Sequence, residues 1–145
     1  MNIIHRLLLI KFMNISSCNN VNDFRQLAKS QLPSPIFHYI DGAADDEKTL
    51  KRNTDAYDDC FLVPKVLRAV ESVDLGVKIL GKKISLPFFL SPTALQRLFH
   101  YEGEMAVAKA AEKFDTYFGI SSLSTIPIEN IKSISSPNYF SYIFT

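Results

Sequence analysis

An α/β fold is what the sequence predicts, and three observations carry that prediction. Short apolar runs at residues 86–90, 117–120 and 139–144 read as strands, and the first two exit into small, hydroxylated residues. Helical periodicity fills the gaps between them, so strand, helix, strand, helix, strand follow in order. That alternation implies right-handed βαβ units around a parallel sheet. The chain has 145 residues, 47% hydrophobic and 21% charged, which suits one hydrophobic core better than two domains.

Residues 1–18 read as an amino-terminal extension, disordered or helical, and residues 19–145 as the domain. Leu7-Leu8-Leu9-Ile10 is flanked by His5 and Arg6 before it and Lys11 after it, so it is too short for a membrane span or for the core of a signal peptide. Domain-like patterning begins only after Met13, so either Met1 or Met13 could start the chain. Asn19, Asn20 and Asn22 offer helix caps, and Phe24, Leu27, Ala28 and Leu32 then recur on one helical face. Pro33 and Pro35 end that helix, and Ile36-Phe37-His38-Tyr39-Ile40 forms a second helical turn stopped by Asp41-Gly42. Asp45-Asp46-Glu47 ahead of Lys48, Lys51 and Arg52 is the charge order a helix dipole favours, which predicts a helix over 44–57. Its charges most simply form a solvated face.

Phe61-Leu62-Val63-Pro64 reads as an extended connector. Val77-Lys78-Ile79-Leu80 and Ile84-Ser85-Leu86 flank Gly81-Lys82-Lys83, which predicts an antiparallel hairpin. The central strand, Leu86-Pro87-Phe88-Phe89-Leu90, then runs into Ser91-Pro92-Thr93-Ala94. Ligands of parallel α/β sheets sit beyond the carboxyl ends of the strands, where the Ser91 and Thr93 hydroxyls and the Thr93 and Ala94 amides fall. An ordinary strand-to-helix loop fits the same stretch. Glu102 and Glu104 open the next helix, with Met105, Ala108, Ala111 and Phe114 along its packing face. Tyr117-Phe118-Gly119-Ile120 exits into Ser121, Ser122, Ser124 and Thr125, and Pro127 and Glu129 place a further helix over about 126–133. The third run, residues 139–144, follows. A (β/α)₈ barrel takes about 250 residues. The chain is therefore expected to be the opening third of one, with a helical prelude and a hairpin.

A net charge of +1 with interspersed signs gives no basic stripe for nucleic acid and no polybasic tract for a membrane. Cys18 and Cys60 have neither C-x-x-C spacing nor a His cluster, so no metal site is suggested and a reducing compartment, the cytoplasm, fits best.

One set of residues goes further than pattern. Phe37-His38-Tyr39-Ile40-Asp41-Gly42-Ala43-Ala44, Leu86-Pro87 through Ser91-Pro92-Thr93-Ala94, Glu102-Gly103-Glu104 and Ser121-Ser122-Leu123-Ser124-Thr125 together resemble the amino-terminal part of the FMN-dependent 2-hydroxy acid dehydrogenases and oxidases. These include flavin-linked L-lactate dehydrogenases and glycolate oxidase. The resemblance extends over about residues 21–131 without a gap.

It implies FMN as cofactor and a small 2-hydroxy acid as substrate. Tyr39 falls where the family has a tyrosine that donates to the substrate carboxylate, and a phenol with its usual pKa of about 10 is a neutral donor at pH 7. A packing aromatic is the other reading of Tyr39. Pro92, Thr93 and Ala94 fall on the segment that lies against the flavin ring, and Ser121 on a serine that hydrogen-bonds the flavin. A strand-end hydroxyl bonded to its own loop is the other reading of Ser121. Leu123 borders the substrate side chain, where an aliphatic residue resembles lactate-type enzymes more than glycolate-type ones.

The implied reaction oxidises an L-2-hydroxy acid to the 2-oxo acid. The family's catalytic base, arginine clamp and flavin-side lysine come from later strands, so no catalytic residue is assigned in this chain. His38 and His100 match none of them. The family pattern places a glutamine at about Ser141 and a tyrosine at about Ile143; neither is present there, and the alignment needs a one-residue gap. Either the frame drifts near the end or this region has lost its function, and both readings point to a truncated product. A homo-oligomer is expected only of the completed domain, and peripheral membrane association only through an electron acceptor. A non-catalytic remnant and a small α/β partner-binding module are the competing readings.

Overall fold

The computed structural model describes residues 14–133 and the backbone of 139–142. It divides into two compact units, one ending at Lys65 and the other beginning at Val66.

In the first unit, helical residues are set by caps and prolines. The Asn14 side chain accepts from the Ser17 amide and closes a 3₁₀ turn at Ile15–Ser17, inside the expected extension. Asn20 Oδ1 accepts from the Asp23 amide at 3.0 Å and starts α1 (Val21–Gln31). Leu27 is the buried residue of that helix, while Phe24 is 49% exposed, so the packed face is narrower than its periodicity predicts. Pro35 sits in the first turn of α2 (Ser34–Asp41), where its missing N–H leaves no bond unmade. Phe37 is buried from α2, and the Arg25 guanidinium grips Asp41 at 2.5 and 3.0 Å, tying α1 to α2.

The third helix starts later than the charge pattern predicts. It is α3 (Lys48–Asp55), because Asp45 and Glu47 take left-handed φ values of 50° and 55°, which no α-helix accommodates. Glu47 Oε1 accepts from the Ala43 amide at 3.1 Å, so the acidic residues build the lead-in turn rather than the first helical turn. The connector then carries Phe61, Leu62, Val63, Val66 and Leu67 at least 81% exposed, with no helix or strand across 60–75.

In the second unit the hairpin forms as the alternation predicts. Strands β1 (Val77–Ile79) and β2 (Lys82–Ile84) pair antiparallel, Val77 opposite Ile84 and Ile79 opposite Lys82. Its two-residue turn, Leu80-Gly81, has φ values of 50° and 82°, positive at both positions as a type I′ turn requires.

The central strand is the main correction: of residues 86–90 only Leu90 pairs, in one parallel bridge to Phe118. Its N–H donates to Tyr117 O at 2.9 Å and its carbonyl accepts from Gly119 N at 2.8 Å. The residues before it cannot continue the ladder. Pro87 has no N–H, the Phe88 carbonyl is taken by the Thr116 hydroxyl, and the backbone bends across 85–87.

Helix α4 (Glu104–Lys113) leads to β3 (Phe118–Ser121), α5 (Ile128–Lys132) and β4 (Tyr139–Tyr142). β4 runs parallel to β3 with Phe118 opposite Tyr139 and Ser121 opposite Tyr142. The expected parallel order is thus present. The end of the third run, Ile143 and Phe144, lies outside the described residues. Helix α5 is shorter than expected, because Pro127 precedes it as the cap residue with extended ψ of 140°.

One core holds this unit together. Ala108 and Ala111 of α4 pack on Phe118 and Ile120 of β3 and on Ile126 and Ile131, with Leu90, Met105, Val107 and Ile128 at its edge. Small alanines let the helix approach the strand closely, and each large side chain buried contributes about 1.5–3 kcal/mol. Phe114, expected on that face, is 55% exposed, since it caps the end of α4 after the helical repeat has stopped.

Candidate functional site

Two chain segments leave the sheet side by side, one after Leu90 and one after β3. Pro92, Thr93 and Ala94 are half-buried in the first. Backbone amides of Thr93 and Ala94 find no acceptor among the described residues, and the Thr93 carbonyl accepts from Gln96 Nε2 at 3.3 Å. Leu95 then turns the chain with φ 54° and ψ 40°, and its amide donates to Leu123 O at 3.1 Å. That bond joins the two exits.

In the second exit, Ser121 is buried at the end of β3, and its Oγ accepts from the Leu123 amide at 3.1 Å. The reading of Ser121 as a loop-bonded hydroxyl therefore holds for its oxygen, while its proton has no acceptor among the described residues. A hydroxyl fixed by an incoming bond and holding an unspent proton is a directed donor. Leu123 itself is 58% exposed. An open cavity of about 390 Å³ beside this exit is lined by Ser121, Ser122, Ser124, Thr125 and Ile126. Pro92, Thr93 and Ala94 are not among its walls, so hydrogen bonds rather than a shared cavity bring the two exits together.

Beneath both exits lies a residue that sequence reasoning treated as an ordinary helix-opening acid. Glu104 is fully buried. Its Oε1 accepts from the Thr125 amide at 2.9 Å and the Gln96 amide at 3.3 Å, and its Oε2 from the Thr125 hydroxyl at 2.6 Å. Burial pushes the carboxyl up, but the Thr125 hydroxyl and amide, its own amide and the Gln96 amide together outweigh burial and hold it below the usual glutamate range. Gly103 makes this approach possible. It has φ 51° and ψ −132°, and a Cβ there would lie 2.8 Å from Arg97 Cγ and 3.2 Å from Arg97 N.

His100 is an exposed loop residue whose Nδ1 accepts from the Glu102 amide at 3.2 Å. His38 on α2 stacks edge-on against Phe37 at 5.7 Å. Tyr39 belongs to the first unit, on α2, and is 55% exposed. Ser141 lies on β4 opposite Ile120. Among the described residues no group of three or more His, Cys, Asp or Glu is placed to hold a metal ion, and no helix is long and apolar enough to cross a membrane.

Residues 28–145 match the FMN-dependent dehydrogenase family. The chain belongs to that family. FMN is the family's cofactor, and the open amides and the Ser121 proton at the two exits suit its heteroatom-rich ring. The chain is 43% identical over 119 residues to the L-lactate dehydrogenase of Vibrio parahaemolyticus, a match covering 81% of this chain and 31% of that protein. It is 38% identical over 114 residues to glycolate oxidase 3 of Oryza sativa, covering 79% of this chain and 31% of that protein. Among solved structures, a soluble mutant of the membrane-associated (S)-mandelate dehydrogenase of Pseudomonas putida superposes with a TM-score of 0.78 at 33% identity, over 84% of this chain and 35% of that one. The chain thus spans about a third of the length of the relatives it matches.

Proposed function

We propose that the chain forms one side of the flavin site of an enzyme that oxidises an L-2-hydroxy acid, lactate-like, to the 2-oxo acid. The observation that carries this is the joined pair of exits, with bare Thr93 and Ala94 amides in one and the unspent Ser121 proton in the other. In this reading residues 19–145 are the front portion of the family's domain, the opening third of a (β/α)₈ barrel. Pro92, Thr93, Ala94 and Ser121 would hold FMN, which when bound would supply an acceptor for the α hydrogen and its electron pair.

The chain's own residues position the reactants. Pro92, Thr93 and Ala94 present backbone and small side chains to the flavin face, and Ser121 donates to the ring. Tyr39 donates its phenol proton to the substrate carboxylate, and Leu123 offers an apolar wall to a short aliphatic side chain. Identity to an L-lactate dehydrogenase and an aliphatic residue at position 123 together favour a lactate-like substrate over glycolate, which has no side chain to bury. Residues that remove the hydroxyl proton are not assigned in this chain.

The test is visible absorbance of the purified 145-residue chain titrated with FMN. Uptake at one flavin per chain with a perturbed flavin spectrum is expected. Ser121→Ala should weaken it about fivefold to tenfold, the worth of one hydrogen bond of about 1 kcal/mol. A folded chain that leaves the flavin spectrum unchanged at millimolar FMN overturns the reading.

A further inference from the structure

We propose that Glu104 is a positioning residue, a buried clasp that locks the exits after Leu90 and after β3 into one rigid piece. The proposal rests on the flavin reading only for its purpose, since the clasp itself is a matter of geometry.

A carboxylate at the start of an exposed helix would normally face water and favour the helix dipole. Glu104 instead turns inward, where an ionised group survives only if its oxygens are saturated by donors. The donors come from both exits: the Gln96 amide from the first, the Thr125 amide and hydroxyl from the second. Fully buried and already accepting three hydrogen bonds from the two exits, Glu104 is turned toward the protein rather than toward a ligand. It acts through the loops.

Two further contacts close the same knot. The Arg97 amide donates to Thr125 Oγ1 at 3.4 Å, so the Thr125 hydroxyl is both donor to Glu104 and acceptor from the first exit. The Leu95 amide bonds Leu123 O at 3.1 Å, directly between the residues placed at the flavin and the substrate side. Gly103 is the enabling neighbour, because its positive φ and missing Cβ let the start of α4 sit against Arg97 and Thr125. The hydrogen bonds to Glu104 come from Gln96 and Thr125 and not from the site residues Thr93, Ala94, Ser121 and Leu123, yet each of these stands within two residues of a bond the clasp controls. Removing the clasp should leave them present and mutually disordered.

The experiment measures amide exchange of the full 145-residue chain by NMR in the absence of flavin, then FMN affinity. The reporter is the Leu95 amide, which does not bond Glu104 itself. Glu104→Ala and Thr125→Val should each speed its exchange at least tenfold, whereas exchange in the β1–β2 hairpin stays unchanged. Thr125→Ser, which keeps the hydroxyl, should restore protection to the parent rate. If Glu104→Ala fails to fold, Thr125→Val with its serine rescue decides the matter alone. Unchanged Leu95 exchange in the folded variants overturns the clasp whatever the flavin result. In the flavin arm, Thr125→Val should weaken FMN binding and Thr125→Ser should not. A parent chain that takes up no FMN while its variants lose Leu95 protection sinks the flavin reading and leaves the clasp standing.

Discussion

Adding one methyl group at Gly103 probes a close backbone approach in the second unit. Alanine there meets two separate penalties. A backbone at φ 51° and ψ −132° is a glycine conformation, and holding an L-residue in such a region costs about 1–3 kcal/mol. The new Cβ would also lie 3.2 Å from Arg97 N and 3.4 Å from Thr125 Oγ1. Arg97 Cγ, at 2.8 Å, can swing aside, but the Arg97 backbone and the Thr125 hydroxyl are held by the hydrogen bond between them. Overpacking of this kind adds about 1–3 kcal/mol. Gly103→Ala should therefore destabilise the unit by about 3 kcal/mol, a fall of about 10 °C in Tm. Urea denaturation followed by far-UV circular dichroism measures it. The control is Gly81→Ala, where φ is +82° and a Cβ meets nothing within 4 Å, so only the backbone penalty of about 1–2 kcal/mol applies. Equal losses for the two variants would refute the reasoning, because they would mean that the contacts around Gly103 give way freely.

Four further outcomes follow from the same geometry. Leu80→Asn should stabilise the hairpin by about 1 kcal/mol, since Leu80 is exposed at φ 50° and Asn-Gly suits a turn with both φ values positive; a lower urea midpoint would count against the turn assignment. Ile131, fully buried against α4 and β3, should cost about 2–5 kcal/mol as Ile131→Ala and only about 1 kcal/mol as Ile131→Val, a ratio that a simple surface residue would not give in the same denaturation assay. Acid should act through Glu104. Its folded carboxyl is held below the usual value of about 4.3, so its contribution is present above that pH and is lost as pH falls through the folded value. Glu104→Gln should remove that part of the stability loss below about pH 4.3, and an unaltered pH profile would contradict it. In flavin titrations, Leu123→Ala should leave FMN affinity within twofold of the parent, because its backbone makes the bonds to Ser121 and Leu95 while its side chain points to solvent; a tenfold loss would place that side chain on the flavin.

Much of this was legible in residues. Asn20 before Val21 and Gly81 between two alternating runs each have a local cause and each produced the element it signals, whereas Pro35, read as ending the first helix, lies in the first turn of the second. Departures arise where the decisive partner is far along the chain or where side-chain type does not set the backbone conformation. Leu86-Pro87-Phe88-Phe89 reads as strand, but Pro87 brings no donor and Thr116, 28 residues after Phe88, takes the carbonyl that a strand neighbour would have used. Asp45 and Glu47 look like the acidic first turn of a helix until their left-handed φ values are known, and side-chain type alone does not reveal those. Glu104 escaped notice for the same reason. Its sequence context, an acid at a helix start, is the commonest one, and its partners Thr125 and Gln96 lie 21 and 8 residues away. The only local signal was the adjacent Gly103, whose lack of a side chain is explained once a neighbour is seen pressed against it.

The uncovered apolar run between α3 and β1 bears on how the protein can be handled. Phe61, Leu62, Val63, Val66 and Leu67 present nearly all of their surface to water, the kind of surface that captures hydrophobic dyes and adheres to phenyl resins. Dye-based melting curves would then start from a high baseline and report this run rather than the packed core. With no tryptophan and six tyrosines, the chain offers little alternative fluorescence, which leaves circular dichroism and NMR as the spectroscopies that see the fold itself.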